Sequence, residues 1–265
     1  KTIPKVMIPV YDRPPIHYVV QEAVCSGIEE IVIVVSNDQE AVMRYFDRNV
    51  ELEEMLEQNR EEGLLHQIRN ISDMAKIECV YQTERLGLGH AVLTAKPLIG
   101  REPFAVLLPD DLIFGNPPTI GSMQQIFSEY CSSVIAVKRV PNELISSLGI
   151  VGFNTIDDTI CKIVDMIEKP ALEEAPSDSA IIGRYILTPE IFDAIDNVGP
   201  GVSGEIQLTD AIVELLSSQD VYGYRFPGIN FDVGTPSGLL KASLYAAMRT
   251  GNISKDIRDW FNNHD

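Results

Sequence analysis

Short, nearly unbroken apolar runs recur along this chain, and stretches with helical spacing separate them. The runs are Glu30–Val35 (EIVIVV), Ile77–Tyr81, Phe104–Leu108 (FAVLL), Val134–Lys138 and Ile182–Leu187. Strands of this kind are apolar on both faces, so both faces must be covered. Helical intervals mark Ile16–Cys25, Glu40–Phe46, Gly89–Ile99, Ile120–Tyr130, Glu205–Leu216 and Ser237–Met248, and Gly27 stands where a left-handed residue closes the first helix. The alternation predicts an α/β fold with helices on both sides of a mixed, mostly parallel sheet. Ile150–Phe153 and Ile160–Ile167, around an Asp157-Asp158 turn, read as a hairpin that adds antiparallel pairing. Glu51–Arg69, charged with sparse leucines, reads as a helical excursion on the surface. Neither a repeat nor a change of composition marks a linker, so residues 1–265 are read as one domain. A C-terminal helical tail, 236–265, includes Ile253–Phe261 and Trp260 and offers a surface for self-association.

Charge narrows the function. The 265 residues include 21 basic and 39 acidic side chains, a formal net charge of −18. Nucleic acids and anionic membranes are bound through basic faces, so neither is an expected partner. A small anionic ligand remains open if a local cation or metal offsets the field. No apolar run approaches the roughly 18 residues of a membrane span, and Lys1–Val10 carries no leader-like core. Cys25, Cys79, Cys131 and Cys161 are far apart and read as buried free thiols of a cytoplasmic protein. His17, His66, His90 and His264 are equally scattered, which argues against a zinc site.

In open α/β sheets ligands bind beyond the carboxyl ends of the strands, so the residues following each strand are the candidates. Pro109-Asp110-Asp111 follows Phe104–Leu108. Two carboxylates there suit a hard cation such as Mg²⁺, or simply a solvated turn. Gln82 through His90 (QTERLGLGH) follows Ile77–Tyr81. Its glycines permit a ligand to approach the backbone, although neither GxGxxG nor a P-loop is complete. The Gln82 amide can read a base edge or face solvent. Glu168-Lys169-Pro170 ends another strand, and the proline is expected to hold Lys169 extended, projecting its ammonium. Asp232, in Phe231-Asp232-Val233-Gly234, is a second separated carboxylate or a helix cap. Gly201-Val202-Ser203-Gly204 is not the GxSxG of a nucleophile elbow. Separated carboxylates, a lysine, glycine turns and an amide suit a metal-assisted phosphate reaction.

Several stretches resemble the sugar-nucleotide pyrophosphorylases, in particular the bacterial UTP–glucose-1-phosphate uridylyltransferase branch. They run in the family's order: Ile3–Pro9 (IPKVMIP), Asp12-Arg13-Pro14, Tyr18-Val19-Val20, Glu51–Leu56 (ELEEML), Gly87–Ala91 (GLGHA), Leu108-Pro109-Asp110, Glu168-Lys169-Pro170, Ile182–Tyr185 (IGRY) and Glu205–Ala211 (EIQLTDA). The resemblance implies a three-layer, Rossmann-like nucleotidyltransferase fold and a cytoplasmic, Mg²⁺-dependent enzyme, dimeric or tetrameric. It implies that UTP and glucose 1-phosphate give UDP-glucose and pyrophosphate. Gln82 and the Gly87 backbone would meet uracil, and Asp110 and Asp232 would hold Mg²⁺. Glu168, Gly149 and Gly183 would hold the glucose hydroxyls. Lys169 would meet the sugar phosphate, and Lys5 would lie near the triphosphate. The family keeps only the first acid of the Asp110–Asp111 pair, so Asp111 is expected to matter less.

The sequence departs from the family in three places. The family's GxGTRxxPxTK loop and the strand before it are absent, with Lys1 aligned to the loop's last residue. The expectation is a natural chain that continues upstream. Val6 stands where an acid is usual, which bears on base recognition, and Leu86 stands for a lysine, which bears on phosphate contacts. Thymidylyl or adenylyl transfer, and a non-catalytic sugar-nucleotide-binding role, are the alternatives.

Overall fold

The computed structural model describes residues 3–36, 40–201, 204–249 and 251–263, so Lys1, Val202, Ser203 and His264 lie outside the described residues. The larger helices are α1 (Pro15–Cys25), α2 (Glu40–Phe46), α3 (Val50–Gln58), α4 (Glu62–Ser72), α5 (Gly87–Ile99) and α6 (Thr119–Tyr130), then, after the short α7 (Asn142–Ile145), α8 (Ile191–Val198), α9 (Leu208–Leu215), α10 (Pro236–Arg249) and α11 (Gly251–Asn262). The strands are β1 (Glu30–Val35), β2 (Lys76–Tyr81), β3 (Phe104–Leu107), β4 (Asp111–Phe114), β5 (Ser133–Arg139), β6 (Gly149–Thr155), β7 (Ile160–Glu168), β8 (Ser179–Leu187), β9 (Val221–Arg225) and β10 (Ile229–Asp232).

Alternation along the central strands creates the three layers. In β5, Ile135 and Val137 enter one core cluster, with Val92 of α5, Phe192 and Ile195 of α8 and Ile212 of α9. Their neighbours Val134 and Ala136 enter another, beneath Ile120, Met123 and Ile126 of α6. β8 divides in the same way, Ile181, Tyr185 and Leu187 on one side and Ile182 and Ile186 on the other. Each such fully buried aliphatic side chain stabilises the fold by roughly 1.5–3 kcal/mol. A satellite core joins α1, β1 and α2 through Ile16, Val20, Ile33, Val35, Val42 and Phe46.

The sheet is mixed, as expected, but antiparallel pairings dominate it. Six strands lie in the order β3-β8-β5-β9-β7-β6. β3 and β5 both run against β8, whereas β5 and β9 are parallel, as are β1 and β2. One reversed strand between β3 and β5 thus turns two potential parallel ladders into antiparallel ones. Burial on both faces is common to both ladder types, so apolar runs alone do not report strand direction. The expected hairpin is β6–β7, seven paired positions with an irregularity between Gly152 and Phe153.

The charged excursion is the helix pair α3–α4. It closes on Glu53, whose carboxylate accepts from Arg48 and from Arg69 Nε at 2.9 Å and is held down to about 2 by those guanidinium groups. Of the cysteines only Cys161 is buried; Cys25 and Cys131 are exposed, which corrects the expectation of buried thiols.

Candidate active site

At the end of β3 the chain turns through Leu108-Pro109-Asp110 and enters β4 at Asp111. β4 pairs antiparallel with β10, which sets Asp111 opposite Asp232. The Val233 amide donates to the Asp110 carbonyl at 2.8 Å, so the exposed carboxylates of Asp110 and Asp232 stand on neighbouring turns. Asp232 also caps its turn, one oxygen accepting from the Gly234 amide at 2.9 Å. Asp111 is the unexpected member. Burial, then the charges of Asp110 and Asp232, push its carboxyl up to about 6, against the opposing pull of Arg184 and the Gly183 amide. Its oxygen lies so close to Gly183 that a Cβ there would sit 2.9 Å from Asp111 Oδ2 and 2.9 Å from Leu108 Cβ.

Arg184 anchors this corner from beneath. It is fully buried, and its Nη1 donates to the carbonyls of Leu108 at 2.9 Å and Gly183 at 3.2 Å. Its Nε and Nη2 donate to Glu22 Oε2 of α1 at 3.0 and 2.9 Å. One step along β8 therefore places Gly183 against Asp111 and points Arg184 toward α1.

The second cluster lies at the end of the hairpin. Gly149 pairs with Glu168 across β6–β7. Glu168 Oε2 accepts from Thr209 Oγ1 at 2.7 Å, and its Oε1 lies 3.5 Å from Lys169 Nζ. Lys169 departs from the expected extended conformation, with φ 48. Its amide donates to the Leu148 carbonyl at 3.1 Å, a tertiary bond that overrides the bias imposed by Pro170. The phenol of the buried Tyr185 is pushed up by burial and then by the charges of Asp111, Glu168 and Asp110.

The third cluster is the glycine turn before α5. Gln82 follows β2, its amide donating to the Val35 carbonyl at 2.8 Å. Its Nε2 lies 3.1 Å from the Gly87 carbonyl and 3.0 Å from His90 Nδ1. Gly87 has φ 91, and a Cβ there would meet Glu205 Cβ and Ile206 O at 2.9 Å. Ile206 clasps the turn, donating to Leu86 O at 2.7 Å and accepting from Gly89 N at 2.8 Å. The Ile206 carbonyl, which a helix beginning at Glu205 would offer to the Asp210 amide, accepts from Gly89 instead, and α9 starts later, at Leu208. The segment from Glu205 to Thr209 thus joins the Gln82–Gly87 turn to Glu168.

The structure brings Gln82, Gly87, Gly149, Glu168 and Lys169 into one connected set through the Glu205–Thr209 segment, and gathers Asp110, Gly183 and Asp232 into a second group around Asp111. Lys5 is exposed on a 3-10 turn, Lys5–Met7, whose Val6 and Met7 pack on the β1 core. No ion pair among the described residues ties Lys5 to that set. A cavity of about 360 Å³ lined by Arg13, Glu22, Phe114 and Arg249, among others, includes none of the expected site residues. Among the described residues no group of three or more His, Cys, Asp or Glu is placed to hold a metal. Asp110 and Asp232 nevertheless offer an all-oxygen pair beside the destabilised Asp111. That suits a hard divalent cation whose remaining positions go to water or phosphate.

A family model described as nucleotidyl transferase matches residues 1–248. The chain belongs to the nucleotidyl transferase family. It is 41% identical over 258 residues to the UTP–glucose-1-phosphate uridylyltransferase of Staphylococcus epidermidis, covering 97% of this chain and 90% of that one. A UDP-glucose pyrophosphorylase solved with UDP-glucose superposes with a TM-score of 0.84 at 37% identity, over 93% of this chain and 91% of that one. The UTP-bound enzyme from Acinetobacter baumannii gives 0.90 at 37% identity, over 98% and 91%.

Within this nucleotidyl transferase, sequence reasoning missed the supporting residues. Glu22, His90, Thr209 and the burial of Asp111 carry no local signal. Arg184 had one: an arginine inside an otherwise apolar strand run demands a buried partner.

Proposed function

We propose that this nucleotidyl transferase joins glucose 1-phosphate to UTP, giving UDP-glucose and pyrophosphate. The carrying observation is the Glu205–Thr209 segment, which joins the Gln82–Gly87 turn to the Glu168–Lys169 pair, together with the separate acidic corner that Asp110 and Asp232 build on β4 and β10. Relatives bearing the uridylyltransferase name, and similar enzymes solved with UTP and with UDP-glucose, support the substrate pair.

A phosphate oxygen of the sugar phosphate attacks the α-phosphorus of UTP and pyrophosphate departs in line, with no covalent enzyme intermediate. Both reactants are anions, so orientation and charge compensation are what the chain must supply. Orientation can contribute up to about 7–11 kcal/mol. Gln82 and the Gly87 backbone hold the base. Glu168, with the Gly149 and Gly183 backbones, holds the sugar hydroxyls, and the ammonium of Lys169 offsets the charge of the attacking phosphate. Lys5 serves the triphosphate. Asp110 and Asp232 would hold Mg²⁺, which when bound supplies positive charge against the phosphates. Asp111 keeps the Asp110 turn seated against Gly183.

The exposed apolar side chains of Leu240, Met248 and Trp260 on α10 and α11 support self-association as a dimer or tetramer through this tail. Use of UTP, a nucleotide of the cytoplasm, supports a cytoplasmic reading.

Pyrophosphate release from UTP, glucose 1-phosphate and Mg²⁺ tests the reading, with TTP, ATP and CTP as competitors. Turnover with UTP that disappears in Asp110→Ala, the fold being retained, is expected. Preference for TTP or ATP, or binding without turnover, would overturn it.

A further inference from the structure

The hydrogen bonds around Gln82 fix which end of its amide faces inward. The Gly87 carbonyl, 3.1 Å away, has no proton to give, so the group facing it must be the NH₂. The same nitrogen lies 3.0 Å from His90 Nδ1. With one hydrogen directed at Gly87, its other hydrogen goes to Nδ1, which must then be the unprotonated nitrogen of a neutral imidazole. His90 therefore carries its proton on Nε2. Both amide hydrogens are consumed internally, and among the described residues Gln82 Oε1 accepts no hydrogen bond.

We infer that His90 is a positioning residue for base specificity, holding Gln82 as an acceptor toward the nucleotide. This rests on the reading of Gln82 as the base contact. A free glutamine amide can rotate half a turn and present either a donor or an acceptor. A locked one presents only its carbonyl. Uracil offers a protonated ring nitrogen on its pairing edge and satisfies that carbonyl. Cytosine offers a lone pair at the same position, so two acceptors would face each other and remain unpaired. His90 is the part of the lock that can be removed by changing one side chain, since the Gly87 partner is backbone. Asparagine can set an acceptor near the place of Nδ1; alanine cannot.

The test uses the full-length protein. Steady-state kinetics with UTP and with CTP should show the ratio of their kcat/KM values falling ~10-fold or more in His90→Ala. His90→Asn should recover most of the lost ratio. Loss of stability alone would lower both rates and leave the ratio intact, and an unchanged ratio in a folded His90→Ala overturns the inference. In parallel, the wild-type protein labelled with ¹⁵N-histidine is measured by long-range proton–nitrogen correlation above the ordinary histidine pKa. The signal lost in His90→Asn should be that of an Nε2–H tautomer, and an Nδ1–H tautomer overturns the inference even where His90→Ala does not fold. Should wild-type protein fail to use UTP at all, the substrate reading falls, while the tautomer measurement still judges the Gln82–His90 pair.

Discussion

Arg184 and Glu22, 162 residues apart in the chain, are joined by two hydrogen bonds to a single carboxylate oxygen, Glu22 Oε2. The other oxygen accepts from the Ile120 amide at the start of α6, at 3.3 Å. The pair ties β8 to α1 and α6, while the remaining guanidinium nitrogen grips the carbonyl before Pro109-Asp110. Arg184→Met strands a buried carboxylate and removes the anchor of the acidic corner. A loss of about 3–5 kcal/mol is expected from urea unfolding. The double variant Arg184→Met with Glu22→Leu should regain part of it, because no charge is then left unpaired. A double variant no more stable than Arg184→Met would contradict this account.

Asp111→Asn should stabilise the metal-free protein at neutral pH. The folded carboxyl sits near 6 instead of 3.8, so the folded state retains a proton that the unfolded chain releases between those values. Stability therefore falls as pH rises through that window, and the cost persists above it. An asparagine keeps the acceptor for the Gly183 amide without the charge. Melting temperatures in chelator should rise at neutral pH and show little gain near pH 3.8. Equal gains at both would show that charge is not the cause.

His17 works in the opposite sense. Burial, then the nearby Arg13 charge, lowers it from 6.5 to about 4, and its ring bonds Tyr45 and Arg13. Between those values the unfolded chain takes up a proton that the folded one refuses. The contribution is complete above pH 6.5 and is lost as pH falls toward 4. It amounts to roughly 1–3 kcal/mol. His17→Gln should flatten that part of the stability profile; parallel profiles would refute the assignment.

The two glycines of the sugar site should respond unequally to alanine. At Gly149 the added Cβ meets the ends of flexible side chains, Glu168 Oε2 and Ile181 Cδ1, at 3.0 Å. At Gly183 it meets Leu108 Cβ as well as Asp111 Oδ2, both at 2.9 Å, and Leu108 cannot yield without moving the Asp110 turn. Gly183→Ala should cost ~10-fold or more in kcat/KM, and Gly149→Ala distinctly less. The reverse order would mean that the Asp110 turn is not held through Gly183.

Lys169→Ala should raise KM for glucose 1-phosphate and lower kcat, with KM for UTP little changed. The ammonium is exposed beside Glu168, free to turn toward a phosphate, so stability should scarcely move. Near-normal kinetics would remove Lys169 from the mechanism.

Much of this molecule was readable in advance because its signals are local. A strand buried on both faces must be apolar at nearly every position, and a helix must repeat near its own pitch. Hence β1, β2, β5, the hairpin and most of the longer helices fall where periodicity places them. The candidate residues were legible for a related reason, since polar groups following apolar strands stand at the strand ends where ligands bind. The direction of β8, the β4–β10 ladder, the burial of Asp111, the left-handed turn at Lys169, the late start of α9 and the partners of Arg184 and Gln82 were decided by the tertiary structure. Each depends on which backbone or charge arrives from a distant segment to complete a hydrogen bond or bury a carboxylate, and periodicity along one segment carries no record of its partner.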